Sequence, residues 1–154
     1  MAEEWIATHA AGFNDGSLAN FAITTLAPGE LIGSIGLVIE RRFDCAELGY
    51  WIAKENRNAG YCTEAARAVV TYGFDELGLN KVYSSHLNRN PASGRVMQKL
   101  GMTREGQQAR HVKKWDVYED IVLYGLVREV WTRGSGSETE RDLLLPLPDT
   151  RGTR

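Results

Sequence analysis

The residues with the clearest chemical potential form a short loop between an apparent strand and an apparent helix. The loop reads Arg57-Asn58-Ala59-Gly60-Tyr61-Cys62-Thr63. Downstream of it, apolar residues recur at helical spacing from Ala66 to Leu77. The first amides of a helix have no partner within the helix, and the helix dipole favours negative charge at that end. Because Arg57 adds a full positive charge, the loop is typical of a site for a phosphate or pyrophosphate group.

A second strand–helix corner follows further along the chain. Residues 81–87 alternate as a strand does, and Asn90 and Pro91 suit the N-cap and the first position of a new helix. That helix has an apolar stripe and ends at Gly101. Taken alone, either strand–helix corner could equally be an ordinary turn that requires a glycine. The pair of corners strengthens the prediction of an anion site at the first.

Four motifs, taken in order and spacing, resemble those of a known superfamily. They are Glu47-Leu48-Gly49-Tyr50-Trp51-Ile52, Arg57-x-x-Gly60-Tyr61-Cys62-Thr63-Glu64-Ala65, Asn90-x-x-Ser93 and Met97-Gln98-Lys99-Leu100-Gly101-Met102. The chain resembles the GNAT-superfamily N-acetyltransferases, and within them the ribosomal-protein (Rim-type) branch. The similarity covers residues 20–130.

The resemblance implies an α/β (α+β) fold of the acyl-CoA N-acyltransferase type. Its sheet is mixed and mostly antiparallel, is flanked by helices, and is splayed between the family's fourth and fifth strands, here residues 46–52 and 81–87. The patterns further predict a helix over 3–13 and strands over 21–26, 31–39, 102–110 and 118–129. The family's first strand has no counterpart, which a truncated start would also explain.

The same comparison organises the chain into one acetyltransferase domain, residues 1–131, and a C-terminal tail, residues 132–154. The tail begins with glycines and serines and later contains the apolar run Leu143-Leu144-Leu145. Without the first family strand, the edge at residues 21–26 would be open, covered by the tail or completed by another subunit. An open edge recruits strands, so we expect a homodimer in which the amino-terminal region or the tail crosses to the partner.

The resemblance also implies acetyl-CoA as co-substrate, held where the two central strands diverge. The main chain of Tyr50, Trp51 and Ile52 would pair with the pantetheine arm. Arg57 and the loop Asn58, Ala59, Gly60, Tyr61, Cys62 and Thr63 would hold the pyrophosphate, and Asn90 and Ser93 would supply polar contacts. Two positions depart from the family pattern: Cys62 replaces a glycine or alanine, and Met97 replaces the tyrosine that serves many members as general acid.

The implied reaction is direct attack of a free amine on the acetyl thioester. The amine must lose a proton, for which Glu47 is the candidate base, although a solvated strand residue would look the same. Ser93 or water would protonate the departing thiolate. The second hypothesis is a CoA-binding module without turnover, which the short start and Cys62 would suit. Nucleotide binding is a more distant alternative.

The composition and charge of the chain restrict the kinds of ligand and partner that it can be expected to bind. The chain has 154 residues, of which 43% are hydrophobic and 25% charged, and its apolar runs are too short for a bilayer, which favours the cytoplasm and no membrane contact. Two cysteines and three scattered histidines lack metal-ligand spacing, so no metal is expected. Residues 54–104 carry a charge of +4 and the remainder −6, which suits a polyanionic cofactor and a cationic acceptor rather than direct nucleic-acid contact.

Overall fold

One six-stranded sheet and the helices that pack on it account for the part of the chain that the structure describes. The computed structural model describes residues 12–134. The strands are β1 (Leu18–Thr24), β2 (Leu31–Glu40), β3 (Cys45–Ile52), β4 (Lys81–Leu87), β5 (Thr103–Lys114) and β6 (Val117–Val127). The helices are α1 (Tyr61–Asp75), α2 (Pro91–Lys99) and α3 (Arg128–Gly134).

The six strands lie in the order β1-β2-β3-β4-β6-β5, and every neighbouring pair is antiparallel except β3 and β4. The parallel pair requires a crossover, which α1 supplies. Its register covers only Cys45↔Lys81, Ala46↔Val82 and Glu47↔Tyr83, although β3 continues to Ile52 and β4 to Leu87. The predicted fold class, including a splay between these two strands, is confirmed.

The hydrophobic core lies between the sheet and the helices. Alternate residues of β2 point into it, and Leu37 is completely buried. The inward face of α1 includes Val69, Val70 and Phe74, all completely buried. At Gly73 a Cβ atom would lie 3.1 Å from Leu37 Cδ1, so α1 packs directly on the sheet. This contact fixes the C-terminal half of α1 on β2.

The opposite face of the sheet, here called the open face, carries the other set of alternating side chains. Val38 and Trp51 belong to it, with 58% and 54% of their surfaces exposed. Glu47 lies on the same face of β3 as Trp51 and is also exposed. The helices α1, α2 and α3 pack on the other face of the sheet, whereas Gly12, in the helical residues 12–15, lies against Leu18 on the open face.

Three boundaries differ from the sequence-based expectation. β1 begins at Leu18 rather than residue 21, because Leu18 finds a partner in Val38. β5 and β6 run up to a two-residue turn in which Trp115 and Asp116 have φ of 50° and 62°, as a tight hairpin turn requires. The last strand ends at Val127, where Arg128 starts α3.

The side chain of Arg128 explains why the strand gives way to a helix. Its Nε donates to the carbonyl oxygen of Leu79 at 2.9 Å, and its Nη2 donates to that of Phe74. These acceptors belong to the end of α1 and to the turn that follows it. The two hydrogen bonds therefore hold the chain after β6 on the helical face of the sheet. Such a contact between distant segments leaves no periodic signal in the sequence.

Several expectations fall mostly outside the described residues. Of the predicted helix over 3–13, the structure describes only residues 12 and 13, which belong to a helical segment over 12–15, and of the tail it describes only the end of α3. The outer edge of β1 has no strand partner within residues 12–134, so the homodimer stays a prediction. The division into a domain and a tail is likewise still a prediction. None of the helices described here is long and apolar enough to span a bilayer.

Candidate functional site

The gap between β3 and β4 opens immediately beyond Glu47. Leu48 is the first residue past the divergence, and its carbonyl oxygen accepts a hydrogen bond from Ser84 Oγ at 2.7 Å. Main-chain groups alternate in direction along a strand, so those of Tyr50 and Ile52 face the same gap as those of Leu48. Trp51 lies between them with its main chain toward β2. The gap is therefore edged by peptide groups that β4 does not pair.

The predicted phosphate loop lies just after the end of β3. Arg57 closes a short 3₁₀ turn, and Asn58 and Gly60 both have positive φ, 62° and 86°. Gly60 is the N-cap of α1 and makes no side-chain cap hydrogen bond. The first-turn amides, through Thr63, therefore have no side-chain acceptor at the cap. Residues 57–61 are all exposed, so the end of the helix and its positive dipole are open to an anion.

Cys62 is half-buried in the first turn of α1, and burial raises the pKa of its thiol to about 11. The neighbouring Tyr50 phenol also has a raised pKa, first because of burial and second because of its proximity to Cys62. Both groups are neutral near pH 7. Cys62 thus acts as a small uncharged residue in the loop and adds no negative charge against a bound phosphate.

The raised pKa of Cys62 predicts slow alkylation, because the thiolate is the reactive form. At pH 7 only about one thiol in 10⁴ is ionised when the pKa is near 11. In a Cys45→Ala variant, which leaves Cys62 as the sole cysteine, we expect the rate of iodoacetamide modification to rise about tenfold per pH unit from pH 7 to 10. Mass spectrometry of quenched samples measures it. A rate that levels off near pH 8 would contradict the raised pKa.

A hydrogen bond across the gap joins β3 to the start of α2. Tyr50 Oη donates to the carbonyl oxygen of Ser93 at 2.9 Å, and Asn90 Nδ2 donates to Ser93 Oγ at 3.2 Å. Asn90 occupies the expected N-cap position of α2, but its side chain makes no capping hydrogen bond. The side-chain role of Tyr50 was not predicted. The only sign of it in the sequence was the alternation along β3, which places the Tyr50 side chain on the inward face of the sheet.

Glu47 lies where the two strands separate. Its register partner Tyr83 belongs to the last parallel pair, and the two side chains share the open face. The pKa of the Tyr83 phenol is raised, first by burial and then by the negative charge of Glu47. The proximity of the two groups follows. The predicted base therefore lies on the open face, whereas Ser93 lies on the helical face, with the gap between them.

No cluster of three or more His, Cys, Asp or Glu side chains suited to a metal ion occurs within residues 12–134. The polar groups around the gap are instead one carboxylate, peptide groups, hydroxyls and a positively charged helix end. This set suits an extended ligand that carries amides in the middle and phosphate at one end.

The family of the chain follows from comparison with known proteins. Residues 1–103 match the family model described as an acetyltransferase (GNAT) domain. The chain belongs to the GNAT family. Among relatives, YdaF of Bacillus subtilis, named as a candidate ribosomal N-acetyltransferase, is 36% identical over 110 residues, which cover 69% of this GNAT chain and 58% of YdaF. The chain spans little more than half the length of the curated relatives it matches first.

Solved structures of GNAT proteins confirm the fold. The ribosomal-protein-S5-alanine acetyltransferase of Vibrio fischeri superposes with a TM-score of 0.78 at 19% identity, covering 83% of this chain and 71% of that one. Variants of the spermidine/spermine N-acetyltransferase SpeG from Vibrio cholerae give a TM-score of 0.77 at 21% identity, covering 86% and 80%. At these identities the likeness concerns the fold alone. The resemblance inferred from the motifs is confirmed.

Proposed function

We propose that this GNAT chain transfers an acetyl group from acetyl-CoA to a primary amine, either a protein N-terminus or a small-molecule amine. The observation that carries the proposal is the end of β3–β4 pairing at Glu47↔Tyr83. The unpaired edge of β3 runs from that point toward the uncapped start of α1. A carboxylate lies at one end of the gap and an anion site at the other.

Each part of acetyl-CoA has a group of residues suited to it. The amides of the pantetheine arm would pair with the main chain of Tyr50 and Ile52, which β4 leaves free. The pyrophosphate would lie against Arg57 and the amides of residues 58–63, at the positive end of the α1 dipole. Asn90 and Ser93, already hydrogen-bonded to one another, would flank the thioester end of the molecule.

The proposed chemistry uses the two faces of the sheet. An acceptor ammonium arriving on the open face would give a proton to Glu47, directly or through one water molecule. The freed nitrogen lone pair attacks the thioester carbonyl carbon, the C–N bond forms, and the C–S bond breaks with its electron pair on sulfur. The nitrogen then loses its second proton, and the thiolate gains one, relayed through the Ser93 hydroxyl or through water. The products are an N-acetyl amide and CoA.

A thiol-release assay tests this function directly. The chain is mixed with acetyl-CoA and a panel of amines: peptides with different N-termini, polyamines and aminoglycosides. We expect CoA release that depends on both the amine and the chain, together with an acetylated product of +42 Da seen by mass spectrometry. If acetyl-CoA raises the melting temperature while no amine is acetylated, the chain is a CoA-binding module without turnover. If acetyl-CoA does not bind, both versions are wrong.

A further inference from the structure

Two side-chain hydrogen bonds cross the gap beyond the point where main-chain pairing between β3 and β4 stops. Ser84 Oγ donates to the carbonyl oxygen of Leu48 at 2.7 Å, and Tyr50 Oη donates to that of Ser93 at 2.9 Å. Leu48 is the first residue of β3 after the last parallel pair, and Tyr50 lies two residues further along. The short serine side chain therefore spans the narrow start of the gap, and the longer phenol spans a wider part of it.

The Tyr50 side chain lies close to three elements. Its ring extends from the helical face of β3, and its hydroxyl reaches Ser93 in the first turn of α2. Burial raises the pKa of the phenol, and the nearby thiol of Cys62, in the first turn of α1, raises it further. The phenol therefore keeps its proton near pH 7 and remains a hydrogen-bond donor. One neutral side chain of β3 is thus close to the first turns of both helices.

The Ser93 hydroxyl lies between two other polar side chains. Asn90 Nδ2 donates to Ser93 Oγ at 3.2 Å, so this oxygen accepts a hydrogen bond from the start of its own helix. On the other side lies the Tyr50 phenol, whose pKa is raised by burial and by Cys62 and is lowered to a smaller extent by the Ser93 hydroxyl. A serine hydroxyl can donate its own proton while it accepts a hydrogen bond. The proton of Ser93 is therefore available on the side of the hydroxyl that is turned toward β3.

We propose that Tyr50 and Asn90 are positioning residues, which together hold the Ser93 hydroxyl as the proton donor for the sulfur of acetyl-CoA. This inference rests on the proposed acetyltransferase function and names the residues that make Ser93, rather than water, the donor. As the C–S bond breaks with its electron pair on sulfur, the Ser93 O–H bond breaks and an S–H bond forms. Ser93 regains a proton from the nitrogen of the new amide, directly or through water, so the hydroxyl is restored.

The two positioning residues constrain different parts of Ser93. Tyr50 binds its main-chain carbonyl and so fixes the first turn of α2 relative to β3. Asn90 binds its hydroxyl oxygen and so restricts the direction of the O–H bond. A donor that is already oriented need not be ordered at the moment of reaction, which is the advantage that it has over a free water molecule. Neither positioning residue needs to touch the reacting atoms, so each would affect the rate through Ser93.

A double-mutant cycle between Tyr50 and Ser93 tests this dependence. Tyr50→Phe removes only the phenol hydroxyl, and Ser93→Ala removes the donor. We expect Tyr50→Phe to lower kcat by about 10- to 100-fold, as the misplacement of a reacting group does, with KM for acetyl-CoA nearly unchanged. In the Ser93→Ala background, Tyr50→Phe should have little further effect, because no donor is left to position. Losses of kcat that multiply would show that Tyr50 acts independently of Ser93 and would overturn the proposal.

Tyr124 of β6 provides the matched control for Tyr50. Tyr124 Oη accepts a hydrogen bond from Gln98 Nε2 of α2 at 3.1 Å, so this tyrosine also joins the sheet to α2. It lies on the far side of β4 from the gap. We expect Tyr50→Phe and Tyr124→Phe to lower the melting temperature similarly, by no more than about 5 °C, and only Tyr50→Phe to lower kcat. Equal losses of kcat would mean that a general loosening of α2 is responsible, and the positioning role would be wrong.

Asn90→Asp tests the direction of the second hydrogen bond. A carboxylate only accepts hydrogen bonds, so it would take the Ser93 proton that the sulfur needs. Aspartate is as favourable as asparagine at a helix N-cap, so α2 should be retained while kcat falls. Asn88→Asp is the matched control, since it adds the same charge two residues earlier, in the exposed turn before α2. Equal losses of kcat in the two variants would mean that charge alone is responsible and would overturn the role of Asn90.

A measurement without turnover separates failure of this inference from failure of the proposed function. The pKa of the thiol of CoA bound to the chain is read from the ultraviolet absorbance of its thiolate, with desulfo-CoA as the reference. A hydrogen bond donated by Ser93 stabilises the thiolate. We therefore expect this pKa to be higher by about 1 to 2 in Ser93→Ala, the equivalent of one charge-assisted hydrogen bond, and by part of that amount in Tyr50→Phe.

The possible results lead to different conclusions. If the thiol pKa of bound CoA is the same in all these proteins, the proposed role of Tyr50 and Asn90 is wrong even if amines are acetylated. If the pKa rises as expected but no amine is acetylated, the placement of Ser93 is supported and the acetyltransferase function is wrong. If CoA produces no thermal shift in the unmodified chain, both proposals are wrong.

Discussion

Turnover of the Glu47→Gln variant is expected to fall by about 10²- to 10⁴-fold, the usual weight of general acid–base catalysis. Gln keeps the shape of the side chain but cannot accept the proton of the acceptor ammonium. Because Glu47 is exposed, the substitution should change the free energy of unfolding by less than about 0.5 kcal/mol. Steady-state kinetics of CoA release, with the best acceptor at saturation, measure the effect.

A neighbouring carboxylate provides the control for charge alone. Glu40 also contributes to the raised pKa of Tyr83, but it lies at the turn end of β2, opposite Cys45 and away from the gap. Glu40→Gln removes the same unit of charge from this region without touching the proposed base. If the two variants lose the same small fraction of turnover, Glu47 contributes only through the electrostatic effect of its negative charge and is not the base. Ordered water would then be the next candidate for the base.

The second large effect is expected at the phosphate loop. A ligand that binds only the folded state at 100 times its Kd adds about 2.7 kcal/mol of stability. For a domain of this size that is a rise in melting temperature on the order of 5–10 °C. We expect acetyl-CoA to produce this shift in the unmodified chain, and the double substitution Arg57→Ala, Gly60→Asp to abolish it.

The physical reason is a direct replacement at the helix end. Gly60 is the N-cap of α1 with φ of 86°, so an aspartate there is strained and places a carboxylate beside the first-turn amides that the phosphate would otherwise take. Its charge also repels a phosphate, and Arg57→Ala removes the attracting one. Gly78→Asp is the matched control, since Gly78 also has positive φ and open space around it but lies beyond the far end of α1. A shift retained in the double variant would place the cofactor elsewhere.

The sheet separates the tasks of the proposed reaction. Glu47, the proposed base, lies on the open face, whereas Cys62 and the Tyr50–Ser93 hydrogen bond lie on the helical face. In the proposed reaction, a ligand in the gap between β3 and β4 would bring these two sets of residues together.

The sequence by itself determined the features that depend on neighbours along the chain. The alternation in β3, the glycine just before α1 and the helical periodicity from Tyr61 are local, so each predicted its element directly. The predicted anion site also rests on local features, because a helix start that follows a glycine needs no distant partner to expose its first amides. The resemblance to the GNAT family then supplied the order of the elements, including the parallel pair that splays.

Only the tertiary structure decided what depends on distant partners. The early start of β1, the helix at Arg128 and the hydrogen bond from Tyr50 to Ser93 each join segments far apart in the chain. The β2–β3 register sets Gly36 against Gly49, and a shift by one residue would place each glycine opposite a side chain of the other strand. Register is fixed by burying one whole face of the sheet against the helices. No local pattern around either glycine encodes that outcome.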